Sequence, residues 1–130
     1  MQSTHTKGLI GEIEFTLHYL NKGYQVLKPT DPNSAYDLVL EKDGIFTRVQ
    51  IKYLTPIHNI LRLELIRPMR KTASYRERQV DAFGIFEPTH KKFYLVPMNK
   101  IKTKTNFWLR ISKPNNGQKI GVHLAEEFEV

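Results

Sequence analysis

Apolar and polar side chains alternate along residues 45–52, where the chain reads IFTRVQIK. In an extended strand this alternation gives one mainly apolar face and one polar face, the latter made by Arg48, Gln50 and Lys52. Asp43-Gly44 lies just before the stretch, and glycine accepts the positive φ of the tight turns that match strand twist. We therefore predict a β-hairpin over residues 36–53, with Asp37 near the start of its first strand.

A different spacing of apolar residues, typical of a helix, occurs between residues 6 and 22. Its apolar members, three or four residues apart for the most part, are Leu9, Ile10, Ile13, Leu17 and Leu20. This spacing predicts an amphipathic helix. Ser3, Thr4 or Thr6 is expected to cap its start, and Gly23 lies where a left-handed residue commonly ends a helix.

The later apolar segments predict further strands. Residues 61–65 and 107–111 alternate, whereas residues 80–86 and 92–97 are continuous apolar runs separated by a turn-like segment. Continuous runs are typical of strands that are covered on both faces, so we expect these two to be inner strands of a mixed sheet. Residues 98–102 are expected to form a helical turn. With 130 residues the chain is long enough for one domain and too short for two, so residues 1–130 are predicted to form a single α/β domain.

Composition excludes several classes of protein. A hydrophobic content of 40% with 25% charged residues is typical of a globular protein. The absence of cysteine excludes disulfides, thiolate zinc sites and a cysteine nucleophile. No apolar run approaches the roughly 20 residues of a membrane helix, and the N-terminus lacks the apolar region of a signal peptide. A cytoplasmic location and no membrane partner are therefore the default expectations.

The charge of the chain indicates a polyanionic partner. The formal net charge is +7, and the sequence pI is near 9.7. Phosphate backbones attract such a protein in a salt-dependent manner. Basic residues concentrate after the predicted hairpin and again near residue 100, and the DNA-binding candidates are Arg62, Arg67, Arg70, Lys71, Arg76, Arg78, Lys100 and Lys102.

The strongest candidate for an active site is the end of the hairpin opposite its turn, where the first strand starts and the second strand ends. If its strands pair so that Asp37 lies near Gln50 and Lys52, then a carboxylate, an amide and an ammonium converge at one end of a sheet. Carboxylate and amide oxygens suit a hard divalent cation, and the lysine remains available for a phosphate. The five histidines show no metal-ligand spacing, and glycine-rich phosphate loops are absent from the sequence.

The pair Tyr36-Asp37, followed after a short turn by Gln50-Ile51-Lys52, resembles the motif of the PD-(D/E)XK nuclease superfamily. Two positions depart from that motif, because Tyr36 replaces the family proline and Gln50 replaces the usual acidic residue. A Q-x-K version resembles the branch of homing endonucleases encoded in cyanobacterial group I introns. The resemblance extends to a Gly-Glu pair at Glu12 in the first helix, and it implies a restriction-endonuclease-like core in which helices flank a mixed central β-sheet.

The resemblance also implies a function. Glu12, Asp37, the side-chain oxygen of Gln50 and the carbonyl of Ile51 would bind Mg²⁺, with Mn²⁺ as an alternative, and Lys52 would act on the attacking water or the transition-state charge. The implied activity is site-specific cleavage of double-stranded DNA by a homodimer or tetramer, as in a homing endonuclease.

Two alternatives remain open at this stage. Holliday-junction resolvases share the same core, although their motif usually keeps the acid that Gln50 replaces. The second alternative is an inactive DNA-binding module, in which Gln50 marks a lost nuclease site. Asp81, which precedes an apolar run, is a weaker site candidate and is expected to cap the strand or pair with an arginine.

Overall fold

A computed structural model of the chain describes residues 2–65, 79–103, 105–112 and 123–130. In chain order the helix and strands are α1 (Thr4–Asn21), β1 (Gln25–Leu27), β2 (Leu38–Lys42), β3 (Ile45–Tyr53), β4 (Ile60–Glu64), β5 (Ala82–Glu87), β6 (Lys92–Pro97) and β7 (Asn106–Arg110). Short 3-10 helices occupy Met98–Lys100 and Ala125–Phe128. The predicted helix, hairpin and later strands are confirmed to within a few residues.

The first helix begins and ends as its sequence predicts, but it packs through a different face. The Ser3 side chain accepts a hydrogen bond from the backbone N–H of Thr6 at 3.1 Å, and Gly23 follows the helix with a φ of 87°. The buried residues of α1 are Gly11, Phe15 and Tyr19. The apolar residues that defined the amphipathic spacing are therefore not the buried ones, because four of them are exposed: Leu9, Ile13, Leu17 and Leu20.

The hairpin β2–β3 has the predicted tight turn. Asp43 and Gly44 have φ values of 53° and 81°, the left-handed region that the Asp-Gly pair tolerates. The strands are antiparallel, and Leu38 lies opposite Val49 in their register. This register brings the start of β2 beside the end of β3 that carries Gln50 and Lys52.

Five strands form a mixed sheet in the order β1-β2-β3-β5-β6, in which β3 and β5 are parallel and the other neighbours are antiparallel. Every residue of β5 is buried, which confirms it as an inner strand. The expectation that β6 is also an inner strand was wrong, since β6 is the last of the described strands in the sheet, and its outer side forms an isolated bridge from Tyr94 to Glu129. Its apolar run instead reflects cover on both faces, because Tyr94 and Val96 belong to one core cluster and Phe93 and Leu95 pack against the other.

The sheet separates two core clusters. Helix α1 covers one face and buries Phe15 and Tyr19 against Leu38, Val49 and other residues of the sheet. On the opposite face, within the described residues, the cover is a two-stranded antiparallel sheet of β4 and β7 together with the C-terminal 3-10 helix. Its inward residues, which alternate with exposed ones, are Leu61, Leu63, Phe107 and Leu109. The mixed sheet with a flanking helix agrees with the predicted core.

A buried carboxylate supports the turn between β5 and β6. The Glu87 side chain is fully buried, and its oxygens accept hydrogen bonds from the backbone N–H groups of Thr89, at 2.6 Å, and His90, at 3.0 Å. The ring of His90 also lies 2.9 Å from a Glu87 oxygen. Since the turn itself satisfies this carboxylate, Glu87 has a structural role.

Gly84 allows α1 to lie close to the sheet, and replacing it by alanine should destabilise the protein. A Cβ at this position would lie 2.9 Å from Ile51 Cδ1 and from two ring atoms of Phe15. Because these neighbours are fixed in a packed core, we expect Gly84→Ala to lower the free energy of unfolding by about 1–3 kcal/mol in urea titrations.

Gly8→Ala is the matched control for this substitution. Gly8 is an exposed residue of α1 whose Cβ would meet nothing within 4 Å, so the higher helix propensity of alanine should stabilise the protein by up to about 1 kcal/mol. Equal stability of Gly84→Ala and the wild type would show that the interface between α1 and β5 can relax at no cost.

No helix within the described residues is both long enough and apolar enough to cross a membrane.

Candidate active site

The hairpin places Asp37 directly beside the Gln50-Ile51-Lys52 segment. The backbone N–H of Asp37 donates to the carbonyl of Val49 at 2.9 Å, which continues the pairing of β2 with β3 by one residue. The Asp37 carboxylate then accepts a hydrogen bond from the backbone N–H of Ile51 at 2.8 Å. Ile51 lies between Gln50 and Lys52, so the carboxylate is held next to both of them, as the hairpin pairing predicts.

Helix α1 brings Glu12 to the same region. Gly11 packs on β3 so closely that a Cβ there would lie 3.2 Å from Ile51 Cγ2. Glu12 is the next residue, and its charge contributes to raising the pKa of Asp37. The side chain of Glu12 is 27% exposed, and its carboxylate lies 3.8 Å from the Lys28 ammonium. The close helix-sheet contact at Gly11 thus places a second carboxylate near Asp37.

Burial dominates the electrostatics of Asp37. Its pKa is raised from 3.8 to about 6, chiefly because burial disfavours the carboxylate. The charge of Glu12 also raises the pKa of Asp37. The hydrogen bond from the Ile51 N–H lowers it, as do the ammonium groups of Lys52 and Lys28. A carboxylate with a raised pKa beside a second carboxylate is typical of a site that gains stability by binding a cation.

Lys52 is also partly buried at this site. Burial lowers the pKa of its ammonium, while the charges of Asp37 and Glu64 raise it again. Glu64 is the last residue of β4, so the end of the two-stranded sheet acts electrostatically on the site lysine. The ammonium form of Lys52 therefore lies in surroundings of reduced polarity, where its charge acts more strongly than at an open surface.

Sequence reasoning missed two neighbours of the site, Lys28 and Glu64. Lys28 follows the short strand β1 in a loop rich in turn residues, where no local pattern marks it as functional. For Glu64 the sequence was partly informative, because alternation along β4 predicts that it lies on the outer face with Arg62. Its proximity to Lys52 depends on how β4 and β7 pack on the sheet, which local patterns do not specify.

The oxygen atoms at the site suit a hard divalent cation. Glu12 and Asp37 supply carboxylates, and the amide oxygen of Gln50, the residue before Ile51, is a third candidate ligand. Within the described residues no three His, Cys, Asp or Glu side chains are placed to hold a metal together. That result is consistent with the sequence, since Gln50 stands where the third acidic ligand of the motif would be. A cation here would relieve the repulsion between the two carboxylates, so the residues present fit a metal ion.

Asp81 lies outside this group and pairs with an arginine, as expected. Its carboxylate accepts hydrogen bonds from the Arg48 backbone N–H at 2.8 Å and from the guanidinium at 3.0 Å. The side-chain hydrogen bond from Arg48 lowers the pKa of Asp81. This pair joins β3 to the start of β5, so Asp81 supports the sheet.

The candidate DNA-binding residues fall into two groups. Arg62, Lys100 and Lys102 are exposed. The Arg62 guanidinium lies over the Trp108 ring, 4.8 Å from its centroid. The remaining candidates lie outside the described residues: Arg67, Arg70, Lys71, Arg76 and Arg78.

Comparison with solved structures shows the fold class of this chain. A bacterial homing endonuclease, I-Ssp6803I, matches with a TM-score of 0.77 and 22% sequence identity over 98% of this chain and 89% of that one. Hjc, a Holliday junction resolvase from the archaeal hyperthermophile Archaeoglobus fulgidus, matches with a TM-score of 0.53 and 15% identity over 93% and 94% of the two chains. Both are nucleases, and the fold is therefore that of a nuclease core.

Comparison with family models identifies the family. The model described as PD-(D/E)XK endonuclease matches residues 2–130. The chain belongs to the PD-(D/E)XK endonuclease family, which confirms the resemblance drawn from the Asp37 and Gln50-Ile51-Lys52 motif. No curated protein sequence matches the chain.

Proposed function

We propose that this protein is a Mg²⁺-dependent endonuclease that cuts double-stranded DNA at specific sites, in the manner of a homing endonuclease. The observation that carries the proposal is the convergence of Asp37, Gln50 and Lys52 on one hairpin, with Glu12 supplied by the adjoining helix. The fold likeness to a homing endonuclease over 98% of the chain supports the same conclusion.

The proposed roles follow from the chemistry of each side chain. Oxygens of Glu12, Asp37 and Gln50, with the carbonyl of Ile51, would hold the metal ion. A bound Mg²⁺ would polarise the scissile phosphate and make a bound water more acidic. Lys52 stabilises the negative charge that grows on the phosphate oxygens as water attacks phosphorus and the bond to the leaving oxygen breaks.

One domain of this size carries one such site and cuts one strand. Cleavage of both strands therefore requires at least two copies, and we propose a homodimer, or a tetramer built from dimers, bound to a site of matching symmetry. The net charge of +7 supports DNA as the substrate, because a basic surface steers the protein to a polyanion.

The outer face of the two-stranded sheet is the DNA-contacting surface that we propose. It carries Arg62 stacked on Trp108, and it ends at Glu64, which acts on Lys52. A two-stranded β-ribbon has dimensions that fit the major groove, where arginine recognises guanine edges and elsewhere binds phosphates. This surface can therefore hold the duplex while the adjoining site cuts it.

Random duplex libraries provide the direct test of this function. The protein is incubated with the library in Mg²⁺ or in EDTA, and the cut ends are sequenced. Double-strand ends that share a sequence motif and require Mg²⁺ would support the proposal. A synthetic four-way junction, assayed in parallel, addresses the resolvase alternative, because cleavage of the junction without cleavage of duplex would overturn site-specific duplex cutting.

Replacing Gln50 by glutamate should strengthen metal binding. An added carboxylate at this position raises the negative charge of the ligand set, so we expect Gln50→Glu to increase Mn²⁺ affinity about tenfold in calorimetric titrations. Gln25→Glu is the matched control, since Gln25 is an exposed glutamine of β1 that lies opposite Glu41 and away from the site. Unchanged affinity in Gln50→Glu would show that position 50 does not contact the metal, and would favour the inactive binding module.

Removing Arg62 should weaken DNA binding without affecting the fold. Because Arg62 is exposed and stacked on Trp108, we expect Arg62→Ala to cost about 1–3 kcal/mol of the free energy of DNA binding. If Arg62 contacts a phosphate, the slope of log affinity against log salt concentration should also fall by about one. Lys42→Ala is the control, because Lys42 is also an exposed cation over an aromatic ring, 5.1 Å from the Tyr24 centroid, but lies at the far end of β2. If the two substitutions changed DNA affinity equally in fluorescence anisotropy, the β4–β7 surface would not be the DNA-contacting surface.

A further inference from the structure

The outward side of α1 carries an exposed row of large apolar residues, which we call the α1 stripe. It consists of Leu9, Ile13, Leu17 and Leu20, whose exposed fractions are 45%, 55%, 56% and 51%. Single exposed apolar residues are normal on a protein surface, but four in one row form a contiguous patch. Such patches mark contact surfaces, so the stripe requires a partner.

Helix geometry places the stripe opposite the core. With 100° between successive residues, the four residues fall within one quadrant of the helix, and the buried Gly11, Phe15 and Tyr19 fall on the other side. The helix is thus apolar on two sides, and within the described part of the chain the sheet covers one of them.

The charges around the stripe favour another copy of this protein over a membrane. No charged residue lies within the stripe, and the acids beside it, Glu12 and Glu14, each have a lysine of the same chain nearby, at 3.8 Å and 3.9 Å. Two chains of net charge +7 can therefore approach here without bringing clusters of cations together. A helix that binds anionic lipid instead has lysine or arginine along its apolar face, where this one has glutamates.

The spacing of the stripe also suits a twofold axis. In an antiparallel pair of identical helices, Leu9 would lie opposite Leu20 of the second copy, and Ile13 opposite Leu17, because these pairs are nearly equidistant from the middle of the row. A patch that matches itself after such a rotation is what an isologous interface requires. Leucine and isoleucine at three- and four-residue intervals are also the residues that pack between paired helices.

We propose that two copies of the protein associate through their α1 stripes. This inference rests on the proposed function, since cutting two strands requires two sites. In this arrangement the helix that carries Glu12 also forms the contact between the two copies. The two candidate active sites then lie on either side of one pair of helices. Their separation would then be set by a packed contact rather than by the DNA.

Sedimentation of the 130-residue protein without DNA tests the proposal. We expect a dimer or a multiple of it at micromolar concentration for the wild type. Ile13→Glu should raise the dissociation constant at least about 100-fold, because a twofold interface would bury the new charge twice. Ile45→Glu is the matched control, since Ile45 is 70% exposed but lies at the turn of the hairpin, and it should leave association unchanged.

Disulfide trapping gives an independent measurement. The chain contains no cysteine, so the combined substitution of Ile13→Cys and Leu17→Cys offers thiols only at the stripe. Oxidation should yield a covalent dimer in high yield, whereas Ile45→Cys should not. Thermal melting in parallel shows whether each variant is folded, which we expect because the substituted side chains lie outside the core.

Several results would overturn the proposal. A monomeric wild type at the same concentration would do so, as would equal association of Ile13→Glu and Ile45→Glu. A monomer that floats with anionic vesicles would assign the stripe to a membrane instead. Because none of these measurements uses DNA cleavage, the absence of nuclease activity would leave them interpretable, and cleavage by a monomer would overturn only the interface.

Discussion

Lys52→Ala is expected to reduce the rate of DNA cleavage by about 10²- to 10³-fold while the protein remains folded. The lysine is partly buried, and the charges of Asp37 and Glu64 favour its ammonium form. An ammonium that is fixed in surroundings of reduced polarity stabilises transition-state charge strongly, because it need not reorganise during the reaction. Removing it deletes that stabilisation and also removes the cost of burying a cation, so folding should be little affected.

Single-turnover cleavage at saturating Mg²⁺ and protein measures this effect separately from binding, and thermal melting measures the fold. Lys28→Ala is the matched control. Lys28 also acts on Asp37 and lies 3.8 Å from Glu12, but its side chain is 54% exposed, so solvent screens its charge and the loss of rate should be much smaller. A normal rate for Lys52→Ala would remove this lysine from the mechanism.

The central hairpin could be predicted because its determinants are local. The Asp43-Gly44 turn specifies the reversal, and alternation along β3 specifies the faces, so the approach of Asp37 to Gln50 and Lys52 follows from pairing one strand with the next. Glu12 lies farther away in sequence. Its placement depends on the close packing of Gly11 on Ile51, and only the resemblance to a nuclease motif indicated it beforehand.

The pattern of apolar residues did not specify which side of α1 packs on the sheet or where β6 lies within the sheet. Helical spacing shows that apolar residues share a side, but α1 has a second apolar side, and the aromatic rings of Phe15 and Tyr19 occupy the core in place of the leucines. For β6, a continuous apolar run indicates cover above and below the strand. It carries no information about neighbours within the sheet. Among the described strands β6 pairs with β5 alone, and on its other side it forms an isolated bridge from Tyr94 to Glu129.

The exposed apolar side of α1, the α1 stripe, is the side that bears on function. A fold that needed only its own core would gain from polar residues at Leu9, Ile13, Leu17 and Leu20, since exposed apolar patches favour aggregation. Their presence is consistent with a surface that is buried in an assembly. The proposed pairing of two copies thus accounts for the exposed apolar residues whose spacing predicted the helix.

Asp37→Asn is expected to abolish cleavage and, in metal-free protein, to increase stability. Because burial raises the pKa of Asp37 from 3.8 to about 6, the folded state binds the proton more tightly than the unfolded state does. The wild-type protein in EDTA should therefore be most stable below about pH 4 with respect to this group, and should lose that contribution as the pH rises through about 6. At neutral pH the folded protein carries an unfavourable buried carboxylate.

Asparagine removes this cost and keeps the local hydrogen bond, because its amide oxygen can accept from the Ile51 N–H as the carboxylate does at 2.8 Å. We expect Asp37→Asn to raise the free energy of unfolding at neutral pH by about 2 kcal/mol, a value reduced for partial solvent screening and for the lost attraction to Lys52. Urea titrations in EDTA at several pH values provide the measurement, and the difference from wild type should vanish towards pH 4.

Asp81→Asn is the matched control, because it should have the opposite sign. Hydrogen bonds from Arg48 lower the pKa of Asp81, so its ionised form stabilises the folded state above the unfolded pKa and the substitution should destabilise the protein at neutral pH. If Asp37→Asn were also destabilising in EDTA, Asp37 would be a structural carboxylate like Asp81. A gain in stability together with a loss of cleavage would instead show that the fold tolerates an unfavourable charge at Asp37, which is the behaviour expected of a residue kept for binding a cation.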